Sequence, residues 1–282
     1  MARFRAADGL SLHYTDSKDA PEGHDGPAIL CLAGLTRNSG DFRFVAPFLT
    51  GYRVIGMDYR GRGQSDYAQD ISTYSVAQEA ADAIALMDHL QLERATILGT
   101  SRGGLIAMLL AATHSQRLAG AILNDIGPEI APAGLDRILE YVGQRPAYAD
   151  YESAADGLKA AMEPRFPDVT RDRWRIHAEL IWKEAADGLD LRYDARLRDA
   201  LIGQAGAGPA PDLWALWDEL AKLPVTVLRG ANSDLLNTEI LGRMQARAPG
   251  MRAVTVPDRG HVPFLDEAAS LRGILDHLKD HS

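Results

Sequence analysis

The segment Gly99-Thr100-Ser101-Arg102-Gly103 matches the pattern G-x-S-x-G. A buried apolar run ends just before Ser101 and a helical pattern begins just after it, so the serine falls on a strand-to-helix turn. A sharp turn there projects the serine hydroxyl beyond the sheet edge, and the flanking glycines let the strand and the helix approach closely. The pattern predicts that Ser101 is the nucleophile of an acyl-transfer reaction; the alternative is a glycine-rich connection without a reactive serine.

A serine hydroxyl is a weak nucleophile at neutral pH and needs a general base, normally a histidine. Of the eight histidines in the chain, His261 is the one that lies on a loop directly after a buried C-terminal strand. Loops at the carboxyl ends of parallel strands are where open α/β sheets gather their functional residues. We therefore expect His261 to be the base, the alternative being a turn histidine bonded to backbone.

Two aspartates compete for the role of orienting that histidine. Asp234 follows the predicted strand 225–228 and lies between the serine and the histidine in the sequence, which gives the order Ser, Asp, His. Asp125 follows the preceding predicted strand and could reach His261 from a neighbouring loop. We expect Asp234 to be the orienting acid, and we keep Asp125 as the alternative and as a possible substrate contact. Either carboxylate could instead cap a helix or close a turn.

These residues need a sheet that brings distant loops together. Short apolar runs alternate with helical patterns through the first 130 residues and again after residue 224. This alternation predicts an α/β fold with a mostly parallel central sheet flanked by helices. The turn residues Asp8-Gly9 predict an antiparallel hairpin of residues 2–7 and 10–15 ahead of the parallel strands.

Between residues 128 and 223 helical patterns continue without a convincing buried strand. We therefore predict a core domain of residues 1–127 and 224–282 with an inserted helical cap of residues 128–223. A small-residue loop over 203–211 interrupts the cap and could act as a hinge.

All four tryptophans of the chain fall inside the predicted cap. Trp174, His177 and Trp182 share one face of a predicted helix. That face could line a substrate cavity, or it could pack the cap against the core, and Trp214 carries the same ambiguity.

The charge balance bears on the partners of the protein. The chain has 39 acidic and 30 basic side chains and a formal charge of −9, which repels nucleic acid and anionic membrane surfaces. Its apolar runs are far shorter than the roughly 20 residues that cross a bilayer. The N-terminus lacks the apolar stretch of a secretory signal, and Cys31 is the single cysteine. We expect a cytoplasmic monomer or homodimer that binds neither nucleic acid nor membranes.

The chain lacks the sequence motifs of three other chemistries. It contains neither the G-x-x-x-x-G-K-[ST] phosphate loop nor H-E-x-x-H, and no G-x-G-x-x-G follows the first predicted strand. We therefore expect no cofactor and no metal.

Two further segments of the chain resemble motifs of a known protein family. The segment Asp58-Tyr-Arg-Gly-Arg-Gly-Gln-Ser-Asp66 is similar to a D-x-R-G-x-G-x-S-D signature, and Ala33-Gly34-Leu35 resembles an H-G-x oxyanion segment in which Ala33 replaces the usual histidine. With the G-x-S-x-G turn, these segments make the chain resemble the α/β-hydrolase fold superfamily over nearly its whole length. The resemblance implies a helical lid over the pocket and an oxyanion hole formed by the backbone N–H groups of Leu35 and Arg102.

Together, the residues and the resemblance predict a serine hydrolase that cleaves a carboxylic ester or related acyl bond of a small, partly apolar molecule through an acyl-enzyme. The side chain of Arg37 lies close in sequence to the oxyanion segment and is a candidate for binding a substrate carboxylate, although a salt bridge is the commoner fate of an arginine. Lactonases, thioesterases, perhydrolases and carbon–carbon bond hydrolases share the serine triad, and sequence spacing alone does not separate them from esterases. A ligand-binding receptor that turns over its signal slowly is the alternative of another class.

Overall fold

The computed structural model of the protein describes residues 2–19, 25–130, 132–206 and 212–281. Within these ranges an eight-stranded sheet forms the centre of the molecule. Its strands are β1 (Ala2–Arg5), β2 (Ser11–Asp16), β3 (Ala28–Leu32), β4 (Arg53–Met57), β5 (Ala95–Thr100), β6 (Leu118–Asn124), β9 (Val225–Gly230) and β10 (Arg252–Val256). None of the helices in the described ranges has both the length and the apolar character needed to cross a membrane.

The strands lie in the order β1-β2-β4-β3-β5-β6-β9-β10. The pairs β1–β2 and β2–β4 are antiparallel, and all other neighbours in the sheet are parallel. The predicted α/β class, the mostly parallel sheet and the opening hairpin are confirmed. Because β5, β6, β9 and β10 are consecutive and parallel, the loops after these four strands emerge at the same edge of the sheet.

Helices cover both faces of the sheet. They are α1 (Val76–His89), α2 (Arg102–His114), α7 (Trp214–Leu220), α8 (Thr238–Arg247) and α9 (Ala268–His281). Residues of α1, α2, α7 and α8 share one large apolar core with the sheet, whereas Ile274 and Leu278 of α9 belong to a second core on the opposite face. Helix α2 has almost no polar face, which suits its position between α1, α7 and the sheet.

Helix α7 lies within residues 128–223, the range predicted for the cap. Trp217 and Leu220 of α7 are fully buried in the main core, and α7 packs against α2. Residues 214–220, which the sequence pattern placed in the cap, therefore pack with the core. The sequence pattern misplaced α7 because an amphipathic helix looks the same whichever domain buries its apolar face. The predicted loop over 203–211 lies partly outside the described residues.

We use the name cap segment for residues 132–206. It contains the helices α3 (Pro132–Tyr141), α4 (Tyr151–Met162), α5 (Arg171–Ile181) and α6 (Leu197–Gly206) and the antiparallel hairpin of β7 (Trp182–Ala185) and β8 (Gly188–Leu191). The hairpin was not predicted because its two short strands are half exposed and offer no continuous apolar run. Trp182 starts β7 in extended backbone, so it does not continue the helical face of Trp174 and His177.

Backbone and side-chain contacts tie the cap segment to the core. The Gly63 amide donates to the Arg192 carbonyl at 2.9 Å, and the Asn38 side-chain amide donates to the Leu180 carbonyl at 2.9 Å. Gly63 and Asn38 belong to loops after β4 and β3, beside the carboxyl edge of the sheet. The cap segment is therefore held over that edge.

Candidate active site

Ser101 occupies a tight turn between β5 and α2. Its backbone has φ +50° and ψ −110°, a conformation that costs free energy for a residue with a Cβ atom. A Cβ on Gly103 would lie 2.0 Å from the Leu32 carbonyl oxygen, and a Cβ on Gly99 would lie 2.6 Å from the Gly103 backbone. The two glycines of the motif therefore permit the close strand–helix contact that holds the serine at the turn.

His261 lies on the loop after β10, as expected from its sequence position. Its Nε2 is 3.1 Å from the Ser101 hydroxyl oxygen, within hydrogen-bond range of a general base. Its Nδ1 is 2.8 Å from Oδ2 of Asp125. A carboxylate accepts hydrogen bonds and cannot donate them, so the pairing assigns the proton to Nδ1 and leaves Nε2 free to accept one from the serine.

The expectation that Asp234 orients His261 is wrong, because the carboxylate bonded to the imidazole belongs to Asp125. Asp125 follows the last residue of β6 at φ +58° and is fully buried. Its Oδ1 accepts the Gly230 amide at 2.8 Å, and its Oδ2 also accepts the Ser233 hydroxyl at 2.6 Å. These donors compensate the burial of the carboxylate. Asp125 is therefore placed behind His261, and it does not line the cavity as a substrate contact.

Asp234 lies further from the sheet on the loop after β9. Its Oδ2 is 2.6 Å from Nη1 of Arg137 and 3.2 Å from Nη1 of Arg165. Both arginines belong to the cap segment. Asp234 is thus part of a charge cluster between the cap segment and the core, and it lines the same cavity as Ser101.

The segment Ala33-Gly34-Leu35 lies beside the start of α2. The Gly103 amide and the Tyr59 hydroxyl both donate to the Ala33 carbonyl, at 3.1 and 2.9 Å. Arg62 Nε donates to the Leu35 carbonyl at 3.0 Å. The Leu35 and Arg102 amides donate to no acceptor within the described part of the chain, so both remain available to an incoming oxyanion.

The side chain of Arg102 has a separate role from its backbone. It forms a buried salt bridge with Glu79 and donates to the Tyr74 carbonyl at 3.2 Å. The guanidinium is therefore used inside the core and is not among the groups that line the cavity.

The Asp58–Asp66 motif stabilises the loop beside the segment Ala33-Gly34-Leu35. Asp58 is buried and accepts hydrogen bonds from His13 Nδ1 at 2.8 Å, the Ser39 amide at 2.7 Å and the Gln64 amide at 2.9 Å. Burial acts to raise the pKa of the Asp58 carboxyl, but these hydrogen bonds more than offset it and hold the pKa below its ordinary value. The motif shapes the loop that carries Arg62 and hence the Leu35 segment.

A cavity of about 860 Å³ opens above Ser101 and His261. It is lined by apolar and aromatic side chains with a smaller number of charged groups, which is typical of a small-molecule site. Among the candidates from sequence, Arg37, Trp174, His177 and Trp182 line it. Arg37 is engaged by Asp41 through two hydrogen bonds of 2.8 and 2.6 Å.

Trp214 was a candidate for substrate binding, and this prediction is wrong. Its indole N–H donates to Glu129 at 3.2 Å, and the Arg243 guanidinium lies 4.4 Å from its ring centre. Trp214 is partly buried against the main core and is absent from the cavity lining. The helical spacing could not distinguish a face towards the cavity from a face packed on the core.

His177 is a second histidine in the cavity. Its ring packs edge-on against Trp174 and Phe264, with ring centres 5.5 and 5.6 Å apart. Burial, assisted by the positive charges of Arg37 and Arg173, holds the pKa of His177 well below its ordinary value. The imidazole is therefore neutral near pH 7 and can exchange hydrogen bonds with a bound molecule.

Three residues of this region, Arg137, Arg165 and Ser233, were not predicted from the sequence. Nothing local marks the two arginines, because each lies in a polar helix or loop and is brought to the cavity only by the cap segment. Ser233 is adjacent to Asp234, and its hydroxyl pairing with Asp125 depends on the neighbouring positions of β6 and β9 in the sheet. Within the described ranges, no group of His, Cys, Asp and Glu side chains is arranged to hold a metal ion.

Comparisons with known proteins agree with this architecture. A family model for the alpha/beta hydrolase fold matches residues 27–268. The 3-hydroxybutyrate-oligomer hydrolase of Cupriavidus necator is 37% identical over 252 residues, which cover 85% of this chain and 84% of that protein. The 2-(acetamidomethylene)succinate hydrolase of Mesorhizobium japonicum is 26% identical over 265 residues, covering 91% and 92%.

A solved structure extends the agreement to three dimensions. The crystal structure of an alpha/beta hydrolase from Novosphingobium aromaticivorans matches with a TM-score of 0.90 at 40% identity, covering 99% of this chain and 97% of that one. The sheet order, the family match and these relatives lead to one conclusion: the chain belongs to the α/β-hydrolase fold family of hydrolases.

Proposed function

We propose that the protein is a serine hydrolase that cleaves a carboxylic ester of a small, partly apolar molecule through an acyl-enzyme intermediate. The observation that carries the proposal is the continuous hydrogen-bonded series from the Ser101 hydroxyl to His261, at 3.1 Å, and from His261 to Asp125, at 2.8 Å. Such a series is the general arrangement that activates a serine hydroxyl.

In this mechanism His261 Nε2 takes the proton of Ser101 as the hydroxyl oxygen attacks the ester carbonyl carbon. The buried carboxylate of Asp125 holds the imidazole in the required tautomer and stabilises the imidazolium. The Leu35 and Arg102 amides donate to the oxyanion of the tetrahedral intermediate, an effect of about 10²–10³ in rate per donor by analogy with measured cases. Protonated His261 then gives its proton to the leaving alcohol.

The second half of the reaction repeats these roles with water. His261 removes a proton from a water molecule that attacks the acyl-enzyme carbonyl, and the proton returns to Ser101 as the carboxylic acid leaves. The cap segment, in this proposal, acts as a lid that excludes bulk water from the cavity and strengthens the electrostatic interactions inside it.

The substrate class is inferred from the cavity and from the relatives. A cavity of about 860 Å³ with mixed apolar and charged walls suits a short, flexible molecule better than a polymer chain. The similarity to a 3-hydroxybutyrate-oligomer hydrolase supports short oligoesters of hydroxy acids as the first substrates to test.

Labelling with a fluorophosphonate followed by mass spectrometry tests the nucleophile. Labelling at Ser101, abolished in Ser101→Ala while the circular dichroism spectrum is unchanged, supports the proposal; labelling at another serine refutes it. Steady-state turnover on a panel of esters, lactones, thioesters and carbon–carbon bond substrates then separates the alternatives. A single slow turnover on every substrate would favour the receptor alternative.

A further inference from the structure

The cluster of Arg137, Arg165 and Asp234 lies between three separate parts of the chain. Arg137 is on α3, Arg165 follows α4, and Asp234 follows β9. The two guanidinium groups approach the same carboxylate oxygen, Oδ2 of Asp234, at 2.6 and 3.2 Å. All three residues line the cavity that contains Ser101 and His261.

This sharing leaves the cluster with excess positive charge. Two guanidinium groups and one carboxylate have a net charge of about +1 at neutral pH. Within the described part of the chain, Oδ1 of Asp234 accepts no hydrogen bond, and Arg137 makes no salt bridge other than that with Asp234. The side chains of Arg165 and Asp234 are 24% and 25% exposed, so their polar atoms are reachable from the cavity.

The two other arginines that line the cavity, Arg37 and Arg145, are each paired with a carboxylate of their own. Both Nε and Nη2 of Arg37 are bonded to the two oxygens of Asp41, which neutralises and occupies that guanidinium. Arg145 is bonded to both oxygens of Asp187, with Nη1 at 2.8 Å from Oδ2. Among these cavity arginines, Arg137 and Arg165 are thus the two that share a single carboxylate, so the positive charge of the pair is only half neutralised.

We propose that Arg137 and Arg165 form a carboxylate-binding subsite that selects ester substrates carrying a free carboxylate, with Asp234 holding the two guanidinium groups in place between turnovers. The proposal rests on the ester hydrolase function proposed above and specifies its substrate class. A planar guanidinium binds a carboxylate through parallel charge-assisted hydrogen bonds, and two such groups fix the orientation of the substrate.

A local positive cluster matters more in this protein than in a neutral one. The chain carries a formal charge of −9, which disfavours the approach of an anionic substrate to most of the surface. The subsite supplies attraction at the cavity itself. Because the arginines are partly exposed, added salt should weaken that attraction.

The test uses two substrates that differ at one group, a carboxylate in one and a neutral amide in the other: 3-(butanoyloxy)butanoate and its N-methylamide, both of which release butanoate. We expect wild-type protein to hydrolyse the anion with a kcat/KM at least about tenfold above that of the amide, a difference of about 1.4 kcal/mol. The preference should come from a lower KM for the anion. The ratio of the two kcat/KM values should decrease as the salt concentration rises from about 20 to 500 mM. Equal kcat/KM values for the two substrates would overturn the subsite.

Variants test which residues cause the preference for the anionic substrate. Arg137→Gln and Arg165→Gln should each reduce the ratio of the two kcat/KM values by about three- to tenfold. Asp234→Asn, which removes the competing carboxylate, should raise the ratio. Arg243→Gln is the matched control, because Arg243 is also a partly exposed arginine bonded to a carboxylate, that of Glu129, but it lies outside the cavity.

A purely structural role gives a different result. If the cluster only fastens the cap segment to the core, the arginine variants will reduce kcat/KM for both substrates equally and leave the ratio unchanged, which refutes the subsite. Should either variant be too unstable to assay, calorimetric binding of both compounds to Ser101→Ala decides: tighter binding of the anion supports the subsite, and equal binding refutes it.

The two proposals fail in different ways. Absence of turnover on both compounds, together with absence of fluorophosphonate labelling, refutes the ester hydrolase function and with it the subsite. Turnover of both compounds without preference for the anion refutes the subsite alone.

Discussion

The carboxylate of Asp125, the residue that follows β6, accepts the Nδ1–H of His261 across 2.8 Å. The same carboxylate accepts the Gly230 amide and the Ser233 hydroxyl, which belong to β9 and its loop. Asp125 therefore links His261 to β6 and to β9 with its loop. The position of the imidazole depends on both strands.

The first prediction separates the two aspartates. Asp125→Asn should reduce kcat on an ester by about 10⁴-fold, by analogy with the equivalent change in serine proteases, because an amide in that place favours the wrong imidazole tautomer. Steady-state kinetics of the purified variant measure the change. Fold integrity is checked by circular dichroism.

The matched control is Asp234→Asn, which changes the same chemical group on the neighbouring loop. We expect this variant to lower kcat on the neutral N-methylamide ester far less than Asp125→Asn does, since Asp234 contacts arginines and not the imidazole. A loss at Asp234 comparable with that at Asp125 would contradict the assignment of Asp125.

The second prediction concerns the glycine after the turn serine. Gly103→Ala should lower the free energy of unfolding by about 1–3 kcal/mol, because the new methyl group would lie 2.0 Å from the Leu32 carbonyl and must displace β3 or α2. Urea denaturation followed by fluorescence measures the change.

Gly242→Ala on α8 is the control for that substitution. A Cβ at Gly242 has no atom within 4 Å, and alanine is favoured over glycine inside a helix by about 0.5–1 kcal/mol. We expect this variant to be at least as stable as wild type. If both glycine variants behaved alike, close approach at Gly103 would not be the cause.

The third prediction distinguishes the tryptophans. Trp174→Ala should raise KM for an ester by about tenfold or more, because the indole lines the cavity and packs against Phe166 and Phe264. Trp214→Ala should change kcat/KM by less than about twofold, since the ring lies outside the cavity under Arg243. Equal effects on kcat/KM would show that the cavity assignment of Trp174 is wrong.

The fourth prediction follows from a buried histidine on α9. Burial, with smaller contributions from His281 and Arg252, lowers the pKa of His277 from 6.5 to about 4. The unfolded chain therefore binds a proton that the folded chain does not between about pH 6.5 and pH 4, so stability is retained above this window and falls as the pH decreases through it.

Urea denaturation at pH 7 and pH 5 measures this effect. From pH 7 to pH 5, the free energy of unfolding of the wild-type protein should decrease by about 2 kcal/mol more than that of His277→Gln. The variant will be less stable at pH 7, because the hydrogen bond of 3.0 Å between Nδ1 and the Thr226 hydroxyl oxygen is altered. The same pH dependence in both proteins would rule out His277 as its source.

Parts of the fold could be predicted because their signals are local. The buried runs that became β3 to β6 are continuous and short, and Asp8-Gly9 marks the hairpin turn between β1 and β2. The hairpin of β7 and β8 had no comparable signal, since its strands are half exposed. The assignment of α7 to the core also required knowledge of its partner, α2.

The candidate active site, like the fold, has parts that could be predicted from the sequence and parts that could not. The amino-acid sequence by itself determined Ser101 and His261 as the candidates for nucleophile and base, because a strand-turn-helix glycine pattern and a loop after a buried strand are written in consecutive residues. It also placed Leu35 and Arg102 beside them through a recognisable motif.

Only the tertiary structure decided between Asp125 and Asp234 and brought Arg137 and Arg165 into the cavity. Both aspartates follow strands that are adjacent in the sheet, so chain order cannot show which one meets the imidazole. The residue immediately after a strand stays buried at the sheet edge, whereas one several residues along a loop moves outward to meet the cap segment. That difference depends on the path of each loop in space, which no run of neighbouring residues specifies.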